Sequence, residues 1–265
     1  MTQDILVLIR GGGDLATGVA HRLYQAGFKV AITELARPLV VRRAVSLAEA
    51  VYQGEITVEN ITGLKVDNYD AAIKVISEGY IPVIIDPELK VLDKVKPNVL
   101  VDATMQKEPT GVKKELADIV IGLGPGFNAD ENVDAVIETA RGHYLGKVYY
   151  QGEAIPNTGI PGSVGGYTLE RLLRAPKEGV FEAKVSIGDQ VESGNIIGRV
   201  YETPVVSEID GIVRGLLKSG LFVKQGLKIG DIDPRAAYDH CFTISDKARS
   251  IGGGVLEGIM HYLKK

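Results

Sequence analysis

Residues 4–18 read DILVLIRGGGDLATG, and this stretch decides the fold. Residues 4–9 are a short apolar run of the kind buried on both faces of a parallel sheet. Residues 14–26 place Leu15, Val19 and Leu23 on one helical face, and Gly27 is a stop signal. Between strand and helix, Gly11, Gly13 and Ala16 satisfy G-x-G-x-x-G/A, with Gly12, Asp14 and Thr17 in the same turn. Glycines let a backbone turn tightly and approach a pyrophosphate, while a helix start supplies unpaired N–H groups and positive potential. Glu34 closes the next apolar run, residues 28–33, where an acid accepts from ribose hydroxyls. Asp14 complicates the reading, because a carboxylate at the helix start repels a phosphate there. The turn therefore suits a ribose contact at Asp14 or a ligand other than pyrophosphate. Arg37 would favour a 2′-phosphate and Glu34 opposes one, which leaves NAD against NADP open.

Outward from this unit the alternation continues. Apolar runs at residues 82–85 (PVII), 98–101 (NVLV) and 118–121 (DIVI) each end at an Asp or a Gly, and residues 87–94 read as a short helix. Strands alternating with helices imply a mostly parallel sheet with ligands at the strands' carboxyl ends. Asp102 and Lys107 follow the 98–101 run, where a lysine could bind phosphate, polarise a carbonyl or lie at the surface. Residues 121–127 (IGLGPGF) form a second glycine loop containing Gly124 and Gly126. It leads to Glu138, Thr139, Arg141 and His143, which read either as a site set or as an ion-paired turn. Arginine suits carboxylate or phosphate, and histidine suits proton transfer. Arg42 and Arg43, near a helix start, could reach an anionic ligand or form a solvated pair.

Composition bounds the rest. The chain has 265 residues, 45% hydrophobic and 24% charged, which is enough apolar content for a sizeable core. Thirty Lys and Arg against 34 Asp and Glu give a net charge of −4 with the signs interspersed, an argument against nucleic-acid or anionic-membrane partners. One cysteine makes neither an internal disulfide nor a structural zinc site. His21, His143, His240 and His261 form no metal-binding spacing, so no metal site is expected. Cys241 reads as an inert small hydrophobe, with a reactive thiol as the lesser alternative. Without a basic, cleavable leader or a long apolar span, the expected location is cytoplasmic.

The 32 glycines exceed average usage of roughly 7%, and many mark a repeat. Gly179, Gly188, Val191, Gly194, Ile197 and Gly198 recur 32 residues later as Gly211, Gly220, Val223, Gly226, Ile229 and Gly230. The phrase VSIGDQVESGNIIG (185–198) resembles the flattened half-barrels of biotinyl and lipoyl carrier domains, yet the tip between the copies, residues 201–204 (YETP), has no lysine to modify. Asp231 and Asp233 sit in a rigid polar turn, as caps or as cation ligands. Ser245 is a good N-cap for a final helix whose residues 252–254 (GGG) either break it or let its backbone pack closely on another element, the second being the favoured reading. The expected class is α/β. A Rossmann-like nucleotide-binding domain spans 1–152, and a Gly/Pro-rich connection spans 153–174. A duplicated β-module follows over 175–235, then a C-terminal helical segment over 236–265.

Taken together, IRGGGDLATG, RPLVVRRAVSLAEAVYQG, GLGPGF, IETARGHYLGKV and KIGDIDPR resemble the YqeB family, accessory proteins of selenium-dependent molybdenum hydroxylases. The first half is more distantly similar to xanthine dehydrogenase accessory factors that handle molybdenum cofactor. Those factors carry an early cysteine motif, and this chain has no cysteine before Cys241. The resemblance implies a maturation role with a molybdenum hydroxylase or its maturation machinery as partner. A homo-oligomer is compatible with it. The expected cofactor is nucleotide-containing, NAD(P) or a molybdopterin dinucleotide. Two other readings stand beside it: an NAD(P)-dependent oxidoreductase with Lys107 or His143 as proton donor, and a non-catalytic docking module. Whether the chain is an enzyme stays open.

Overall fold

The computed structural model describes residues 2–106, 110–157, 159 and 162–264. The chain divides into two compact units. The first comprises Met1–Pro38, Ser46–Asn157 and Ile244–Lys265, and the second Leu39–Val45 with Thr158–Thr243. The C-terminal segment 236–265 is thus shared between them, and a short piece after the second strand belongs with the β-rich unit.

In the first unit, β1 (Leu6–Arg10), α1 (Asp14–Gln25) and β2 (Lys29–Glu34) form the opening βαβ unit. There follow α2 (Ala50–Gln53), the antiparallel hairpin β3 (Glu55–Val58) and β4 (Ile61–Val66), α3 (Tyr69–Ser77) and β5 (Ile81–Ile85). Then come β6 (Val99–Asp102), β7 (Ile119–Leu123), β8 (Ala135–Ile137) and β9 (Val148–Tyr149). All nine strands lie in one sheet of order β3-β4-β5-β2-β1-β6-β7-β8-β9. The seven from β4 to β8 are parallel, and β3 and β9 pair antiparallel at the two edges. Between β5 and β8 the order is that of a doubly wound sheet, with its reversal between β1 and β6.

Local chemistry explains the elements. Strands β1, β6 and β7 are covered on both faces, so their apolar runs are continuous rather than alternating. Helix α1 ends in a Schellman motif: Gly27 (φ +85°) donates to the Tyr24 carbonyl, and Phe28 donates to that of Leu23. Ile9, Ile32, Leu100, Ile121 and Leu123 are fully buried, each contributing about 1.5–3 kcal/mol. Residues 87–94 contain only a 3-10 turn, Lys90–Asp93, and the β7–β8 connection has no helix.

The missing cover comes from the end of the chain. Helix α4 (Asp246–Leu263) is capped by Ser245, whose side chain accepts from the Ala248 amide. It packs on α1 and over β7, β8 and β9. The crossing is close because side chains are absent: a Cβ on Gly18 would lie 2.6 Å from Ala248 Cβ, and one on Gly252 2.7 Å from the Gly18 carbonyl oxygen.

The second unit holds β10 (Leu172–Arg174), β11 (Gly179–Ala183), β12 (Gln190–Val191), β13 (Ile196–Val200) and β14 (Thr203–Val206). It continues with β15 (Gly211–Leu216), β16 (Phe222–Val223) and β17 (Lys228–Asp233). Two antiparallel four-stranded sheets result, β10-β17-β15-β12 and β14-β13-β11-β16. The 32-residue repeat is written into the backbone. Gly188 and Gly220 have φ of +99° and +88°, and Gly194 and Gly226 have +87° and +78°. The copies exchange strands reciprocally: Phe181 donates to the Leu221 carbonyl and Val213 to that of Asp189, while Gly188 donates to Val213 and Gly220 to Phe181. Phe181 and Ile197 in one copy, with Val213 and Ile229 in the other, are fully buried equivalents.

The α4 glycines make a sharp comparison. Gly253 meets nothing within 4 Å, so Gly253→Ala should stabilise the chain by about 0.5–1 kcal/mol through helix propensity. Gly252→Ala meets the α1 backbone and should destabilise it by about 1–3 kcal/mol in urea unfolding.

Candidate functional site

The glycine turn lies where the strand order reverses, at the carboxyl ends of β1 and β6, the position at which doubly wound sheets receive ligands. Gly11 (φ +89°) donates to the Thr33 carbonyl at 2.8 Å, and a Cβ there would lie 3.4 Å from the Ala103 carbonyl. Gly12 is enclosed. Its N–H donates to Glu34 Oε2 at 2.7 Å, and its carbonyl accepts from the Ala48 amide at 2.8 Å and from Thr17 Oγ1 at 3.3 Å. A Cβ on Gly12 would sit 2.9 Å from the Ala48 nitrogen. Thr17 also donates to the Gly13 carbonyl at 2.9 Å and accepts from the Leu47 amide at 2.9 Å.

Glu34 is buried, and its second oxygen accepts from the Leu35 amide at 2.7 Å. Burial pushes its carboxyl above the ordinary carboxylate range, and the two N–H donors only partly oppose that. Among the expected residues, Gly12, Ala16, Thr17 and Glu34 therefore frame the turn from within, whereas Gly11, Gly13 and Asp14 are partly exposed at the start of α1.

The other wall is equally tied. Arg10, at the end of β1, pairs with Asp102 at 3.3 Å and donates to the Thr110 carbonyl at 2.9 Å and the Pro87 carbonyl at 3.1 Å. Asp102 is fully buried and also accepts from the Thr104 amide and hydroxyl at 3.0 and 2.6 Å. Lys107 lies outside the described residues. The second glycine loop approaches the same rim. Gly124 (φ +77°) donates to the Ile137 carbonyl, and a Cβ on it would lie 2.6 Å from Thr139 Oγ1 and 3.4 Å from Met105 Cε. Gly126 (φ +102°) faces the Gln106 carbonyl at 3.6 Å on the same construction.

Glu138 is fully buried and staples loops together. It accepts from the Ala140 amide at 2.7 Å, the Ile155 amide at 2.9 Å and the Tyr149 hydroxyl at 3.4 Å. Arg141 forms a two-pronged pair with Asp246 at 2.8 and 3.2 Å. His143 is exposed and meets the Tyr144 ring edge-on at 5.0 Å.

Sequence reading missed two residues here. Arg10 was legible only as the last letter of a strand. Lys247 sits on the first turn of α4, more than 200 residues from α1, so no local pattern announces it. Burial holds its ammonium below the usual lysine range and the Arg141 charge acts the same way, while Asp14, Glu138 and Asp246 oppose. Lys247 thus shares one electrostatic neighbourhood with three of the expected residues, Asp14, Glu138 and Arg141.

Fold and site define a mixed α/β protein: a large, mostly parallel sheet with a glycine turn at its reversal, two smaller antiparallel sheets and a C-terminal helix. No protein-family model matches the chain. Over 255 residues it is 48% identical to "Uncharacterized protein YqeB" of Escherichia coli (strain K12), covering 96% of this chain and 47% of that protein, which supports the YqeB family for it. The chain spans about half the length of that curated relative. Among solved structures, an aspartoacylase family protein from Mesorhizobium loti is 11% identical, covering 86% of this chain and 84% of that one, with a TM-score of 0.27. TcdA (CsdL) is 10% identical, covering 100% and 90%, with a TM-score of 0.35. Similarity at these scores carries no functional argument. Among the described residues, no helix is long and apolar enough to cross a membrane.

Two measurements probe the frame. A buried acid whose pKa is raised in the folded state keeps its proton after the unfolded chain has lost its own. Each pH step in that window therefore favours unfolding. The unfolding free energy of the wild type should fall relative to Glu34→Gln as pH rises from 4.5 through the raised pKa, then run parallel. Asp102→Ala strands Arg10 and should cost about 3–5 kcal/mol in the same assay.

Proposed function

We propose that the chain binds a nucleotide-containing ligand across the carboxyl ends of β1 and β6 and acts as an accessory protein in maturing a molybdenum hydroxylase. The observation that carries the ligand reading is the glycine turn at the sheet reversal with Glu34 held against Gly12. An ionised carboxylate has about four acceptor positions. The Gly12 and Leu35 amides use two of them, so two remain for ribose hydroxyls. The same charge disfavours a 2′-phosphate. Lys247 supplies positive charge near Asp14 at the α1 start, which answers the repulsion that Asp14 alone would exert on an anionic ligand.

A molybdopterin dinucleotide fits this reading better than hydride transfer to NAD(P). His143, one of the two expected proton donors, is exposed on its turn, edge-on to the Tyr144 ring. The hydroxylase and selenium association rests on the motif resemblance, and the 48% identical relative is itself uncharacterised. We read the second unit as a half-barrel of the biotinyl and lipoyl kind, supported by its reciprocal strand exchange. Lacking a lysine at residues 201–204, it would serve for docking rather than group carriage.

Gly13 has φ −63° and ψ −178°, a conformation open to any residue. Gly13→Val should therefore leave the fold intact while blocking close approach of a ligand. By calorimetry, the wild type should bind a pterin or adenine dinucleotide, and Gly13→Val should weaken that by at least tenfold. If the wild type binds no nucleotide, NAD(P) or pterin compound, the reading fails. A pull-down of the hydroxylase that then survives Gly13→Val would point to docking alone.

A further inference from the structure

Lys247, in the first unit, is a partly buried lysine in a place that supports its charge poorly. It lies in the first turn of the 18-residue helix α4, beside the positive pole of the helix dipole. Packing fixes what surrounds it. Ala248 meets Gly18, and Gly252 meets Gly18 and Arg22, so α4 runs in roughly the same sense as α1 and their first turns lie at one end. That end is the carboxyl-end rim of the sheet, because α1 starts where β1 stops. The loop after β8 closes another side. Arg141 grips Asp246 by both carboxylate oxygens, and the Leu145 carbonyl accepts from Ser250 Oγ at 3.0 Å.

Among the described residues, the Lys247 ammonium has neither a hydrogen bond nor an ion pair. The charged groups that face it are Asp14 on α1, Glu138 and Arg141 on the loop after β8, and Asp246 on its own helix. Glu138 is engaged by the Ala140 and Ile155 amides and the Tyr149 hydroxyl, and Asp246 by Arg141. Burial is the largest influence and holds the ammonium below the usual lysine range. The Arg141 charge adds to it, and the three carboxylates oppose without reversing it. Lys247 is not sealed in: the residue keeps partial exposure at the rim, as does Asp14.

A lysine that is desolvated beside another cation is the arrangement that yields a nucleophilic amine, since both influences favour the neutral form. A cation serving only to tie elements together would be paired, as Arg141 is with Asp246 and Arg249 with Glu59. In its protonated form Lys247 answers the charge of Asp14. In its neutral form it presents a lone pair at the same rim.

We propose that Lys247 is a nucleophilic amine that takes a small aldehyde or ketone as an imine at the rim beside Asp14 and Glu138. The ammonium first yields its proton to solvent. The nitrogen lone pair then attacks the carbonyl carbon, and the carbonyl oxygen leaves as water. A C=N bond thus replaces C=O with no oxidant or reductant required. Arg141 acts through its charge, as a positioning residue. The inference goes beyond the nucleotide reading and does not depend on it.

The test is reductive alkylation of the full chain with acetaldehyde and cyanoborohydride, which reduces an imine to a stable ethylamine, followed by peptide mass spectrometry. Labelling of Lys247 is compared with that of Lys74, an exposed lysine on α3, across the neutral to alkaline range. Each unit by which a lysine pKa falls raises its neutral fraction near pH 7 about tenfold, so Lys247 should be ethylated there at least about threefold faster than Lys74. Its rate should also level off at a lower pH. Arg141→Gln removes the like charge and releases Asp246, so it should slow labelling of Lys247 near neutrality and leave Lys74 unchanged. If that variant does not fold, the wild-type pH profile decides alone. A Lys247 that labels no faster than Lys74 near neutrality, or whose rate climbs over the same pH range, overturns the proposal. An Arg141→Gln chain that labels like the wild type removes Arg141 from it.

Discussion

The Glu34 carboxylate and the Ala48 amide grip the Gly12 peptide from opposite ends, one accepting its N–H and the other donating to its carbonyl. Hydrogen bonds to a charged acceptor are worth about 1.5–3 kcal/mol, and this one joins the end of β2 to the turn between β1 and α1. Thr17 adds a third anchor and passes it on to Leu47. The turn is therefore held by its own neighbours, and Gly11, Gly13, Asp14 and Leu15 remain partly open at the helix start. Arg10 and Asp102 do the corresponding work for the loop after β6. A turn tied in this way presents its backbone groups in a fixed arrangement.

The same logic explains α4. A doubly wound sheet needs cover on both faces, and the connections on the β6–β8 side supply little helix. The final helix provides the cover, and Gly18, Gly252 and Gly254 bring it close enough to place Lys247 near Asp14 and Glu138. Packing needs thus deliver a charged residue to the candidate site.

What the sequence disclosed follows from the range of the forces involved. The β1, α1 and β2 elements were legible because their signals are local: a continuous apolar run, a 3.6-residue stripe and a glycine stop. Runs at 82–85, 98–101 and 118–121 appear as β5, β6 and β7 within one or two residues at each end. The β3–β4 hairpin escaped notice because its turn, Glu59 and Asn60, carries no glycine and places Glu59 at φ +55°. Strands β8 and β9 are too short to show a period. In the site, the sequence shows Glu34 as the acid that closes β2 and accepts from ribose hydroxyls, whereas its bond to Gly12 is a tertiary fact. The repeat was legible at glycines that need positive φ, such as Gly188 and Gly220.

The central claim is that the crevice over β1 and β6 holds a nucleotide-containing molecule. Native mass spectrometry of the full chain, purified gently from its own host, examines this without presupposing the ligand. The account expects one bound small molecule per chain whose fragments include a nucleotide, and its absence from Gly13→Val protein prepared alongside. Wild-type chain carrying no such adduct, or one equally present in the variant, would contradict it.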